Sequence, residues 1–142
     1  MTDTQMDALF EEAQRAAALA YAPYSHFRVG AALLAEDGTV FSGCNVENRS
    51  FGLTICAERN AVVQAVAHGK RSFTALAIST PDSVGPVGPC GACRQVLSEF
   101  MRPDALVRFA GSGPEPIDTT MGELLPYDSL HDLAKGEYDD LG

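Results

Sequence analysis

Near the start of the chain, apolar residues recur at helical spacing. Met6, Leu9, Phe10, Ala13, Ala16, Ala17 and Ala20 fall on one face, with Glu11, Glu12 and Arg15 on the other. That pattern predicts an amphipathic helix over residues 5–21, ended by Pro23, which cannot continue it. The pattern then changes. An apolar run over 29–35, the pair Asp37-Gly38 and a second run over 39–44 read as strand, two-residue turn, strand. Residues 45–54 are polar and turn-rich. From Cys56 to His68 the pattern is helical again, with Thr54 as a candidate N-cap and Gly69 where a C-cap glycine belongs. Residues 73–80 predict a third strand. Residues 81–89 hold three prolines and two glycines and predict a loop. Cys90 opens another helix, stopped by Pro103, and residues 105–110 predict a fourth strand. A loop over 111–116 and a short helix over 121–125 follow, and residues 135–142 form an acidic end expected to be mobile. Strands that alternate with helices beside an antiparallel hairpin imply an α/β fold, a mixed sheet covered by helices.

Length and charge narrow the possibilities. The chain has 142 residues, of which 46% are hydrophobic, the size and composition of a single domain over 1–142. Nineteen acidic against ten basic side chains give a formal charge of −9, which repels phosphate backbones and anionic bilayers. No apolar run approaches the ~20 residues of a membrane span. The opening MTDTQMDALFEEAQ is too acidic and polar for a targeting peptide. A cytoplasmic location follows as the expectation, and in a reducing compartment the four cysteines read as metal ligands or free thiols rather than disulfides.

Three of those cysteines carry the candidate chemistry. Cys90 and Cys93 form a CxxC, and Cys56 lies 34 positions before Cys90; each falls at or just before a predicted helix start. Helix N-termini favour anions, so all three thiols are biased toward thiolate, the form that binds zinc. Cys44 as a fourth ligand would make a structural Cys₄ site. Water as the fourth ligand would make a catalytic one, since zinc lowers the pKa of its water to about 7. Glu58 favours the catalytic reading, because a carboxylate two residues after Cys56 could move protons between water and substrate. On its own it is also what a first helical turn favours. Arg59, and as a second candidate Arg94, could donate hydrogen bonds to thiolate sulfur and offset the net negative charge of a three-thiolate zinc.

These residues carry a resemblance. Cys56-Ala57-Glu58 with Pro89-Cys90-Gly91-Ala92-Cys93 matches the C/H-x-E…P-C-x-x-C pattern of zinc nucleoside and nucleobase deaminases, in its Cys₃ form. Tyr24-Ser25-His26-Phe27-Arg28-Val29-Gly30-Ala31-Ala32, Asn45-Val46-Glu47-Asn48, Thr54 to Arg59 and Cys90 to Gln95 are similar, in order, to four segments of the small homotetrameric cytidine deaminases. The resemblance runs from about residue 5 to Pro126. It implies a three-layer α/β/α sandwich around a five-stranded mixed sheet, with a fifth strand near Ile117. It implies one zinc per chain and hydrolysis of cytidine and 2′-deoxycytidine to uridine, 2′-deoxyuridine and ammonia, in pyrimidine salvage. Carried over residue by residue, Cys56, Cys90 and Cys93 are the metal ligands, Glu58 the proton shuttle and Arg59 the support to the metal's sulfurs. Backbone at Ala57 and Cys90 holds the pyrimidine edge, Asn45 and Glu47 hold the ribose, and Phe27 packs on the base. Phe51 aligns with an aromatic given to a neighbouring subunit's site in a homotetramer.

Two departures stand out. Arg49 replaces the usual Ala or Ser. The L-L-P-x-x-F ending appears as Leu124-Leu125-Pro126-Tyr127-Asp128-Ser129, without its phenylalanine, for which Tyr127 or Leu130 are candidate substitutes. His68 and His131 match nothing in the pattern and read as surface residues, and His26 falls at a variable position. Three other functions share some of these features: a blasticidin-type antibiotic deaminase, which the N-x-E-N segment disfavours; a non-catalytic Cys₄ zinc protein; and a polynucleotide editor, which the charge disfavours.

Overall fold

The computed structural model describes residues 1–128 and 130; His131 and the acidic 135–142 end lie outside the described residues. The elements run α1 (Asp3–Ala17), β1 (Gly30–Ala35), β2 (Val40–Cys44), a 3-10 turn (Phe51–Leu53), α2 (Ala57–Ala67), β3 (Phe73–Ser79), α3 (Gly91–Phe100), β4 (Met101–Ala110), β5 (Ile117–Thr120) and α4 (Met121–Leu124). The strands form one sheet in the order β2-β1-β3-β4-β5. All neighbours are antiparallel except β3 and β4, the pair that α3 connects. A parallel pair needs such a crossover.

Helices cover both faces. On one, Met6, Leu9 and Ala13 of α1 pack on Ala32, Ala75 and Ala77. On the other, Ala57, Ala61 and Val62 of α2 and Leu97 of α3 pack on Ala31, Leu33, Leu76, Ile78 and Val107. Burial from both sides is why β1 and the 75–78 stretch of β3 are continuously apolar instead of alternating. Two glycines let the helices sit close. A Cβ on Gly30 would lie 1.9 Å from the Ala13 carbonyl oxygen of α1, and one on Gly43 would lie 2.6 Å from both Ala57 O and Ala61 N of α2.

The five strands and the helix order match the expectation, including a fifth strand at Ile117, but several boundaries move for long-range reasons. Helix α1 ends at Ala17, four residues short of the predicted 21. The chain leaves it so that Tyr21 can bridge to the 45–47 segment: the Tyr21 N–H donates to Asn45 O at 3.0 Å and the Glu47 N–H to Tyr21 O at 2.9 Å. The hairpin loop holds three residues, Glu36 to Gly38, rather than two: the Ala35 N–H donates to Thr39 O, the Gly38 N–H donates to Ala35 O, and Gly38 takes φ +92. Cys56, not Thr54, is the N-cap of α2, because Ile55 is still paired with Val46. Gly69 does close α2, at φ +83, with its N–H on Val66 O and the Lys70 N–H on Ala65 O. Helix α3 stops at Phe100, and β4 starts at once with Met101 opposite Phe73. The ladder then breaks before Ala75 pairs with Leu106, and Pro103, which has no N–H to donate, falls in that break.

Candidate functional site

The first turns of α2 and α3 meet at one end of the sheet. Cys56 caps α2, Cys90 caps α3, and Cys93 sits in the first turn of α3; neither cap sulfur makes a side-chain capping bond. The Cys56 and Cys90 sulfurs lie 4.0 Å apart, those of Cys90 and Cys93 3.4 Å, and all three fall within 4.8 Å of one another. Zn–S bonds of about 2.3 Å in a tetrahedron would separate sulfurs by about 3.8 Å, so the trio fits zinc. Cys44 lies outside the cluster. It ends β2, its carbonyl accepts the Asn60 amide at 2.8 Å, and burial pushes its thiol up.

Charge within the cluster is uneven. The hydrogen bond from Cys93, opposed by burial and helped by the Arg59 guanidinium, pulls the Cys56 thiol down to about 5. Cys93 is pushed up by the same shared proton and by burial. Cys56 thus ionises before Cys93. Arg59 donates from Nη2 to Cys56 Sγ at 3.4 Å. Arg94 does not reach sulfur. It donates from Nε to Pro89 O at 2.8 Å and from Nη1 to Leu124 O at 3.0 Å, tying the residue before Cys90 to the last turn of α4.

Glu58 is 4% exposed, and its Oε1 has no hydrogen-bond partner. Burial pushes its carboxyl up to about 7; its own backbone hydrogen bond opposes the rise, and the Cys56 thiolate adds to it. A buried, unpartnered carboxylate oxygen costs free energy that a structural residue would not carry without return.

A cleft of about 180 Å³ lies over these groups. Cys56, Ala57, Glu58 and Cys90 line it together with Phe27, Val29, Asn45, Thr54, Ile78, Thr80, Val87 and Gly88. The structure therefore brings Phe27, Asn45 and Ala57 to the metal trio and Glu58. The Asn45 side chain is largely engaged within the chain: Oδ1 accepts the Val29 N–H and Nδ2 donates to Phe27 O, each at 2.8 Å. Glu47 lies off the cleft lining. Its carboxylate accepts the Tyr24 and Ser25 N–H groups at 3.0 and 3.1 Å and the Ser25 hydroxyl. The pair expected to face one open sugar is thus held from behind, Asn45 by the Phe27–Val29 backbone and Glu47 by the Tyr24–Ser25 turn. Phe51 is not in the cleft either; it is 73% exposed, its ring edge-on to Tyr24 with centroids 5.6 Å apart. Arg49, Tyr127 and Leu130 are exposed and line no part of this cleft, and His68, exposed as expected, takes Gln64 O at the end of α2. A larger cleft, about 500 Å³ between α3, β4 and α4, contains neither cysteine nor histidine. Sequence reasoning missed Val29, Thr80, Val87 and Gly88 as cleft residues, because apolar strand ends and Gly-Pro loops carry no chemical mark. Ser25 as the holder of Glu47 was visible only as a motif letter.

Residues 3–108 match the family model described as the cytidine and deoxycytidylate deaminase zinc-binding region. The chain is 50% identical over 121 residues to a cytidine deaminase of Sporosarcina psychrophila, covering 85% of this chain and 88% of that one. It is 48% identical over 124 residues to a cytidine deaminase of Halalkalibacterium halodurans, covering 87% and 92%. Its fold superposes on the crystal structure of a cytidine deaminase from Burkholderia pseudomallei with a TM-score of 0.82 and 48% identity, over 89% of this chain and 98% of that one.

Proposed function

The chain belongs to the cytidine and deoxycytidylate deaminase zinc-binding family, and from that premise we propose that it hydrolyses cytidine and 2′-deoxycytidine to uridine, 2′-deoxyuridine and ammonia. One observation carries the reading: three sulfurs spaced for zinc lie beside a buried carboxylate oxygen that has no partner of its own. Cys56, Cys90 and Cys93 would hold one zinc as thiolates, with the Arg59 guanidinium on Cys56 offsetting part of their charge. Zinc bound there would lower the pKa of a water to about 7.

The residues' part follows from the difficulty of the reaction. An aromatic amine leaves poorly, so the ring must first be activated for addition at C4. Glu58 takes the proton from the attacking water and passes it to ring N3, which makes C4 more electrophilic. It then takes the proton of the hydroxyl added at C4 and delivers it to the amino nitrogen, so that the C4 carbonyl forms as the C–N bond breaks and ammonia departs. With no protein partner at Oε1, the carboxylate is free to carry each of the two protons in turn there. Backbone at Ala57 and Cys90 holds the pyrimidine edge and Phe27 packs on the base. The Asn45 amide keeps a second N–H to donate, and the Glu47 carboxylate keeps lone pairs to accept, for the ribose hydroxyls.

Several parts of the reading extend past the chain itself. Phe51, Leu53 and Ile55 are exposed at 73%, 67% and 42%, beside exposed Tyr21, Tyr24 and Val46. An apolar surface of this kind supports burial against another copy, and a cleft below the ~300 Å³ of ordinary small-molecule sites supports completion from outside. We therefore include a homotetramer in which Phe51 serves a neighbouring site. A location in the cytoplasm suits thiols that must stay reduced. The partner is a small nucleoside in pyrimidine salvage, not a nucleic acid or a bilayer; among the described residues no helix is long and apolar enough to cross a membrane. That Cys44 stands outside the trio weighs against the Cys₄ structural alternative, and Asn45 and Glu47 weigh against an antibiotic substrate. Ammonia release and loss of the cytidine absorbance, followed in parallel on cytidine, deoxycytidine, cytosine and adenosine, test the reading. Conversion of the two pyrimidine nucleosides and not of adenosine is expected. A zinc-replete protein inert on both would overturn it.

A further inference from the structure

Strands β1 and β3 stay paired only as far as Gly30 and Ser79. The ladder ends there, and the stretches that flank it both line the cleft: Phe27 and Val29 from the chain before β1, and Thr80, Val87 and Gly88 from the chain after β3. Just outside the last ladder pair, one carboxylate joins the two stretches. Asp82 Oδ2 accepts the Arg28 backbone N–H at 2.9 Å and Arg28 Nε at 3.0 Å, while Oδ1 accepts Nη2 at 2.8 Å. The guanidinium grips the carboxylate fork to fork. An exposed ion pair alone contributes little, but here the same carboxylate also holds the main chain beside Phe27. The far side of the 81–89 loop is fixed too: the Ser112 N–H donates to Ser83 O at 2.7 Å and the Gly113 N–H to Val84 O at 3.0 Å. Gly111 and Gly113 approach so closely that a Cβ on either would lie within 2.8 Å of loop carbonyl oxygens. The loop wall is therefore anchored at its back by the β4–β5 connection and at its front by Arg28.

We propose that Arg28 and Asp82 are positioning residues, a clasp that sets the width of the cleft between Phe27 and the 81–89 loop and so governs how tightly the nucleoside is held. Neither side chain lines the cleft, and the sulfurs and Glu58 are placed by α2 and α3 instead, so the clasp acts on binding and leaves the chemical step alone. For its kinetic readout the inference rests on the proposed deamination.

The zinc-loaded full chain is compared with Asp82→Ala, Arg28→Ala and the double variant. Asp82→Ala is expected to raise KM for cytidine by about five- to tenfold, the scale of lost charge-assisted hydrogen bonds, with kcat within about twofold and zinc content unchanged. Arg28→Ala should do less, because Asp82 keeps the backbone N–H, and the double variant should be no worse than Asp82→Ala, as for two ends of one contact. An unchanged KM, a fall in kcat at constant KM, or additive effects would each overturn the clasp. If Asp82→Ala does not fold, Asp82→Asn keeps an acceptor for the backbone N–H while losing the charge, and its KM should rise by a smaller factor; no rise refutes the idea. A second measurement is independent of the reaction. Amide hydrogen exchange over residues 83–88 should quicken in Asp82→Ala while α2 and α3 keep their protection. Unchanged exchange there sinks the clasp whatever the substrate, whereas a wild-type chain inert on cytidine whose loop still loosens in the variant sinks the deamination reading alone.

Discussion

Replacing Gly43 by alanine asks whether the close seating of α2 on β2 sets both the fold and the site. The new Cβ would stand 2.6 Å from Ala57 O and from Ala61 N, about 0.9 Å inside the ~3.5 Å at which a carbon meets its neighbours comfortably. Both obstacles are backbone, so no rotamer can relieve the clash; the helix must withdraw. Overpacking of this kind costs about 1–3 kcal/mol, while alanine's smaller loss of chain entropy returns up to about 1 kcal/mol. A net loss of about 1–2 kcal/mol should lower Tm by roughly 3–8 °C for a chain of this size. The effect on turnover should be larger than stability alone implies, since the first turn of α2 carries Cys56 and Glu58. A displacement near 1 Å can cost about 10²-fold in rate. Thermal unfolding, metal content and kcat on the same preparation separate the two effects. A Gly43→Ala protein with Tm within about 1 °C of wild type, well under the smallest shift expected, and unchanged kcat would refute the argument that this contact positions the site.

Glu58→Gln preserves shape but cannot carry the proton; zinc content should hold while kcat falls by about 10²–10⁴-fold, and near-normal turnover would remove Glu58 from the mechanism. Cys44→Ser should keep one zinc per chain and most activity, whereas Cys90→Ser should lose metal; equal metal loss in both would revive the Cys₄ reading. Glu47→Ala leaves the Tyr24–Ser25 donors unpaired and should weaken cytidine binding by about 1–3 kcal/mol while changing free cytosine, which has no sugar, far less; equal losses for both ligands would show that Glu47 does not contact the sugar.

What could be read from the sequence was what is decided locally. The cysteine trio was legible because cap and first-turn positions are set by a few neighbouring residues, and Gly69 because its turn requires a positive φ. Arg59 could be assigned because it lies three residues after Cys56, on the same helical face. Arg94 was misjudged for the converse reason, as it directly follows Cys93 and adjacent helical residues do not face each other. The end of α1 and the cap of α2 were illegible since both depend on the Tyr21–Val46–Ile55 bridges, which join segments far apart in the chain. Strand β5 holds four residues at the sheet edge, too short for a pattern of its own, and only the family resemblance pointed to it. Asp82 and Arg28 are 54 positions apart, and nothing in either neighbourhood announces the other.

The placing of the sulfurs on two separate helix starts also has a topological consequence. Cys56 and Cys90 are 34 residues apart, and the intervening chain contains all of α2 and β3. A zinc ion joining them closes that stretch into a loop, much as a disulfide would. The loop-entropy relation for a cross-link of this span gives about 4 kcal/mol taken from the unfolded chain, comparable to a large share of a small protein's stability. The same ion that the chemistry needs would then act as a staple between the starts of the two helices on one face of the sheet, so that loss of metal would loosen the architecture as well as silence the site.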